Sequence, residues 1–268
     1  MSSTPSTPTL NLTLRPSQAR GGSDHGWLKT FHTFAFADYQ EEKFENWGAL
    51  RVLNEDRVEP LTGFGTHGHR EFEIFSYVVN GELEHKDSMG NTEVLKRGDI
   101  QMTSAGVGIR HSEKAHVHFL QIWTVPSIGR LPPKYYTRHF SDEEKKDTLL
   151  RVVAPIRAAG VSPEREAAGP APVQSAVTLY ASLLSPSVSV NHKFGPPGQG
   201  NRRRGYLHVI QTSGYNTGKS TGATVQINGG EVILSEGDGL YIIAAEGDQV
   251  DIKNVGDKTA ELLLFDLD

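Results

Sequence analysis

The chain has no cysteine among its 268 residues. That excludes a disulfide framework, a thiolate metal site, an iron–sulfur cluster and a cysteine nucleophile, so any metal must sit among nitrogen and oxygen ligands. It also fits a reducing compartment. Positive charge is in short supply: 27 Lys and Arg against 32 Asp and Glu give a formal net charge of −5. Such a balance supplies no long-range attraction for nucleic acid or an anionic membrane surface, so direct nucleic-acid contact is not expected. No apolar run approaches the roughly 18 residues that a membrane span needs. Met1 to Gln18, rich in Ser, Thr and Pro, has no apolar stretch following a basic one. Residues 1–20 therefore read as a flexible soluble tail, and the chain as cytoplasmic, or nuclear in a eukaryote.

What is present is β-type rhythm. Ala49 to Leu53, Phe72 to Val79, Glu82 to His85, Ile100 to Thr103 and Val117 to Val125 are short runs divided by turn residues. Val79-Asn80-Gly81 and Asp87-Ser88-Met89-Gly90-Asn91 supply residues that tolerate positive φ and read as hairpin connections. Ser141 to Asp147 has helical character with a Ser cap. Arg157 to Ser175, rich in Ala, Pro, Gly and charge, reads as a linker. The rhythm then returns in Val177 to Leu184, Tyr206 to Gln211, Ala223 to Ile227, Glu231 to Leu234, Leu240 to Ile243, Val250 to Ile252 and Glu261 to Phe265. Gly98-Asp99 followed by a strand, a turn and a final apolar strand has a counterpart starting at Gly237-Asp238, a coarse internal repeat. The expected fold is all-β: two stacked antiparallel β-barrels with a few short helices. The expected boundaries are 21–140 for the first barrel, 141–175 for the linker with its short helix, and 176–268 for the second barrel.

With 11 histidines in the chain, a His-x-His pair is expected by chance roughly 0.4 to 0.5 times, so context must decide. Side chains at i and i+2 of an extended segment leave the same face and can grip one ion together. His67-Gly68-His69 is such a pair, and His111-Ser112-Glu113 is a second, just after the turn Ala105-Gly106-Val107-Gly108. Two pairs from different strands can converge as three imidazoles and one carboxylate, leaving coordination positions open for water, a chelating substrate or dioxygen. The plainer alternative makes these residues half-exposed strand positions bonded to loops. That alternative is preferred for the other pair, His116/His118, which lies in an apolar strand without a second pair. Likewise Arg202-Arg203-Arg204 reads as a solvated loop. Phe64, Phe75, Tyr77, Met102 and Trp123 are candidates for an aromatic pocket wall, with barrel core as their alternative.

The segments Gly63-Phe64-Gly65-Thr66-His67-Gly68-His69-Arg70-Glu71-Phe72-Glu73-Ile74, Tyr77 to Asn91, Gly98 to Met102 and Ser104 to Glu113 resemble the pirin family, closest to its bacterial-type branch with quercetinase activity. Asp24 to Leu28, His32 to Ala37 and Leu262 to Leu267 extend the likeness over nearly the whole chain. The resemblance implies a bicupin whose N-terminal barrel holds one iron-like ion through His67, His69, His111 and Glu113. Gly68 stands where family members often have Pro, and Glu73 is the second choice of carboxylate. The gap-free repeat alignment sets Val250 and Ile252 where His111 and Glu113 stand, implying a second barrel without metal.

The resemblance implies a metal-dependent dioxygenase that opens a flavonol such as quercetin with O2, with Glu113 also the catalytic acceptor of the hydroxyl proton. The alternative it implies is an iron-binding redox sensor that modulates a transcription factor by protein contact. Imidazole with carboxylate admits iron, nickel, copper, manganese or zinc, and the resemblance implies iron(II).

Overall fold

The structure is a computed structural model that describes residues 10–198 and 201–268. In chain order the strands are β1 Asn11–Arg15, β2 Gly21–Asp24, β3 Leu28–His32, β4 Leu50–His69, β5 Glu73–Asp87, β6 Thr92–Lys96, β7 Asp99–Ser104, β8 Ile109–Thr124, β9 Lys134–His139, β10 Leu150–Pro155 and β11 Ala171–Val173. They continue as β12 Val177–Leu184, β13 Ser189–Lys193, β14 Arg203–Val209, β15 Thr224–Ile227, β16 Val232–Ser235, β17 Gly239–Ala244, β18 Gln249–Asn254 and β19 Ala260–Leu267. The single α-helix among the described residues, α1 Asp142–Lys145, is one turn long. Ser141 Oγ accepts from Glu144 N at 3.2 Å while Glu144 Oε2 accepts from Ser141 N at 2.8 Å, a reciprocal cap that satisfies two donors at the helix start. The chain is all-β and falls into two compact units.

One unit spans Gln18–Lys145 and Leu150–Tyr180. Its antiparallel sheet runs β2-β3-β4-β8-β5-β7-β9, with β6 pairing β5. Strands β4, β5 and β8 are longer than the sequence pattern suggests. The expected turn at Asn80-Gly81 is a bulge inside β5: the register against β8 slips between Val78 and Asn80, and Gly81 holds φ +84 where a Cβ would fall 2.0 Å from the His116 carbonyl oxygen. One extra residue, here Val79, with a glycine at positive φ beside it, bends a strand without ending it. The other expected turn is a hairpin, closed by Asp87 Oδ1 accepting from Met89 N and Asn91 N. Leu28, Val58, Val78, Leu83, Leu95, Val117 and Phe119 form a buried core with Trp27 and Phe64 packed on it. Each such side chain contributes about 1.5–3 kcal/mol on burial. The stretch read as a linker includes β10 and β11, which pair in parallel through Val153 and Ala171.

The second unit holds Lys146–Leu149, Ala181–Asp268 and the described part of the segment ending at Ser17. One sheet places β1-β17-β14-β19-β12 side by side, and another runs β13-β18-β15-β16. Asn11–Arg15, expected within a flexible tail, instead pairs with β17 from Asn11↔Ile243 to Arg15↔Gly239. An edge strand offers a row of free backbone groups that any extended segment can complete, and the alternation Leu10-x-Leu12-x-Leu14 supplies one. The arginine run is also no free loop: Arg203 donates to Asp266 Oδ1 at 2.7 Å and to Asp268 Oδ1 at 2.6 Å. Val250 and Ile252 are fully buried.

Candidate metal centre

Strand β8 lies between β4 and β5, and that placement sets the neighbours of its inward residues. His111 stands opposite His67 on β4 and Asp87 on β5, while Glu113 stands opposite Phe64 on β4 and His85 on β5. His69 leaves β4 on the same face as His67, two residues on. A bulge between Phe64 and His67, and the close approach of Gly63 to the Glu113 carbonyl, bring β4 against β8 here.

Three imidazoles converge as a result. His111 Nε2 lies 2.9 Å from His69 Nε2 and 3.0 Å from His67 Nε2. Glu113 does not join this trio. Its Oε1 sits 3.8 Å from His111 Nδ1 and 3.7 Å from His85 Nδ1, so His111 is shared between a triad with His67 and His69 and a second group with His85 and Glu113. The cause is the cross-strand ladder, which sets His85 directly opposite Glu113. Asp87 Oδ2 lies 3.5 Å from His85 Nε2, which is buried and makes no hydrogen bond in the structure.

The triad fits a cation. His67 Nδ1 donates to the Gly65 carbonyl at 2.8 Å, which leaves a lone pair on Nε2 of the neutral ring. His111 Nε2 faces two such nitrogens and carries at most one proton, so hydrogen bonding alone satisfies only one contact. Burial holds the His69 and His111 pKa values down at about 4, so at neutral pH both rings offer lone pairs. Glu113 Oε2 is buried with no hydrogen-bond partner in the structure, the state of a carboxylate oxygen that awaits a cation.

His67 and His69 also line a cavity of about 400 Å³, within the size range of small-molecule sites. Trp27, Phe36, Phe64 and Trp123 give it aromatic walls, with Trp27 edge-on to Phe64 at 5.4 Å and Phe36 edge-on to Trp123 at 5.5 Å. Trp123 also meets the His69 ring at 4.8 Å. Of the expected wall residues, Phe64 and Trp123 stand on this lining. Phe75, Tyr77 and Met102 are buried core instead, turned by strand alternation into packing.

The remaining sequence candidates have structural partners. Glu73 accepts from Ser104 Oγ at 2.5 Å and from Gln174 N at 3.0 Å, away from the triad. His118 Nε2 lies 3.0 Å from Glu55 Oε1. Residues that the sequence reading missed are His85 and Asp87, although His85-Lys86-Asp87 is itself a polar i, i+2 pair. It also missed the buried polar residues on the cavity lining, among them Asn54 and Asp56.

A pirin family model matches residues 13–124. Over 260 residues the chain is 37% identical to the quercetin 2,3-dioxygenase of Escherichia coli K12, spanning 95% of this chain and 97% of that protein. The crystal structure of YhhW from Escherichia coli superposes with a TM-score of 0.77 at 34% identity, covering 96% of this chain and 98% of that one. The structure of the bacterial pirin YhhW in complex with nickel(II) gives 0.76 at 33% identity, covering 96% and 99%. Likeness at this level over nearly the whole of both chains shows that this chain belongs to the pirin family.

Proposed function

We propose that this protein is a metal-dependent dioxygenase that opens flavonols such as quercetin with O2. The observation that carries the proposal is the convergence of three imidazole nitrogens, two of them from His67 and His69 on the lining of an aromatic-walled cavity. The names of close relatives as quercetin 2,3-dioxygenases support the substrate class.

In this reading His67, His69 and His111 hold the ion, Glu113, which stands beside His85 outside the trio, would be the fourth ligand once an ion is bound, and iron(II) is the native metal. The ion would supply Lewis-acid polarisation of the flavonol's hydroxyl and keto oxygens and a path for electrons towards dioxygen. The aromatic walls orient the flat rings so that the chelating edge faces His67 and His69. Glu113, whose Oε2 has no other partner, accepts the hydroxyl proton. A cytoplasmic location belongs to the same proposal.

The test is dioxygen consumption with quercetin, on protein stripped of metal and reloaded anaerobically with iron(II), beside His111→Ala treated identically. Uptake that needs metal and disappears in the variant is the expected result. No uptake from protein that still binds one ion per chain would sink the reading and shift weight to a sensor.

A further inference from the structure

The cavity has a second chemical face. Thr30 and His32 alternate along β3, and Asn54 and Asp56 alternate along β4. The register sets Thr30 opposite Asp56 and His32 opposite Asn54, with Gln121 of β8 opposite Asn54. All five are buried and all five line the cavity. Directly beyond this row the same interior is apolar, with Leu28 opposite Val58 and Val58 opposite Val117. Placing five polar side chains at inward positions of a sheet costs stability unless each is hydrogen-bonded. Such local departures from an apolar interior are expected where a site is built.

The hydrogen bonds inside this face leave capacity for a ligand. His32 Nδ1 donates to Asn54 Oδ1 at 2.9 Å, which leaves the Asn54 amide N–H groups as donors. Thr30 Oγ1 donates to Asp56 Oδ1, which leaves the second carboxyl oxygen. Another cavity-lining group, Trp123 Nε1, is buried without a hydrogen-bond partner in the structure. Sharing one cavity with the aromatic walls, this arrangement suits a flat ring that carries adjacent hydroxyl groups.

We infer that the face formed by Asn54 and Asp56, braced by His32 and Thr30, is a specificity subsite that reads the hydroxyls on the outer ring of the flavonol, the ring remote from the chelating hydroxyl and keto pair. The inference rests on the flavonol reading above and adds the part of the substrate that the protein selects. Asp56 accepts from one phenolic hydroxyl, and the Asn54 amide donates to its neighbour. Neither residue belongs to the imidazole triad or to the group of His85, His111 and Glu113, so in this proposal they set which flavonol binds rather than how its ring opens.

The test is quenching of tryptophan fluorescence in metal-loaded protein by quercetin and by galangin, the same flavonol without the two outer-ring hydroxyls. Wild type is expected to bind quercetin about tenfold more tightly than galangin, the scale of one or two hydrogen bonds to a charged or strongly polar group. Asp56→Asn is expected to remove most of that preference by weakening quercetin and leaving galangin unchanged. Gln121→Leu, which leaves the Thr30–Asp56 and His32–Asn54 pairs intact, serves as a second variant and is expected to keep the preference. Equal binding of both flavonols by wild type, or equal loss of both in Asp56→Asn, would overturn the subsite while leaving the flavonol reading standing. No quenching of wild type by either flavonol would overturn both.

Discussion

His69 and His111 face each other through their Nε2 atoms at 2.9 Å, one from the end of β4 and one from the start of β8. The contact joins the two strands at the point where the triad forms, and a bound ion would replace it with coordination to both rings. His111→Ala is therefore expected to abolish stoichiometric metal binding. Wild type at a metal concentration of about 100 times Kd should gain about 2.7 kcal/mol of stability, read as a rise in Tm on adding nickel(II) or iron(II). The variant should show no rise. A variant that keeps one tightly bound ion per chain would remove His111 from the site.

Acid should act on the metal-free protein through the same two rings. Burial holds His69 and His111 near pKa 4, below the 6.5 of an exposed imidazole. Between those values the unfolded chain binds more protons than the folded one. The contribution of each ring is thus fully present above pH 6.5 and is lost as pH falls through about 4. Tm of the metal-free protein is expected to fall from pH 7 to pH 4.5, and His69→Phe with its permanently neutral ring should fall less. Equal acid sensitivity in the two proteins would assign the loss to other groups.

The alternation of period two made His67-x-His69 and His111-x-Glu113 legible in the sequence, because one strand fixes which side chains share a face. His85-x-Asp87 has the same spacing. It is hidden when Asn80-Gly81 is read as a turn, since that ends the strand before His85 can face Glu113. Whether positive φ makes a turn or a bulge depends on what the neighbouring strand presents, here the His116 carbonyl against Gly81. The polar face of the cavity is out of reach for a related reason: Thr30 meets Asp56 and His32 meets Asn54 only through a register between strands more than 20 residues apart. The position of Glu113 beside His85 follows from that same kind of ladder and not from its spacing to His111.

Two glycines near the centre should respond in opposite ways. A Cβ on Gly63 would lie 2.1 Å from the Glu113 carbonyl oxygen and 2.8 Å from Lys114 Cα, both backbone atoms of β8 that cannot swing aside. Gly63→Ala is expected to cost about 1–3 kcal/mol, the range for overpacking, and to weaken metal binding by moving β8 away from β4. At Gly68 the nearest atom is the Ile109 carbonyl oxygen at 3.6 Å, an ordinary contact. Gly68→Ala should leave metal content unchanged and gain about 0.4–1 kcal/mol by restricting the unfolded chain. Urea denaturation of both variants beside wild type measures the contrast, and a stable Gly63→Ala with full metal content would contradict the packing.

Asp56 should cost stability in the pH range where its proposed reading of hydroxyls is useful. Burial, opposed by the Thr30 hydrogen bond and reinforced by the charges of Glu113 and Glu55, pushes its pKa up to about 7 from 3.8. A carboxyl whose folded pKa is raised contributes its full stability below the unfolded value and loses it as pH rises through the folded one. Wild type at pH 8.5 therefore carries a buried charge that it does not carry at pH 5. Asp56→Asn keeps the volume and removes the ionisation, so its Tm relative to wild type should be clearly higher at pH 8.5 than at pH 5. Such a gain is the usual signature of a residue retained for binding at the expense of stability. If thermal melts of the metal-free proteins show the same difference at both pH values, charge burial is not its source, and the amide must be acting through packing or through its bond to Thr30.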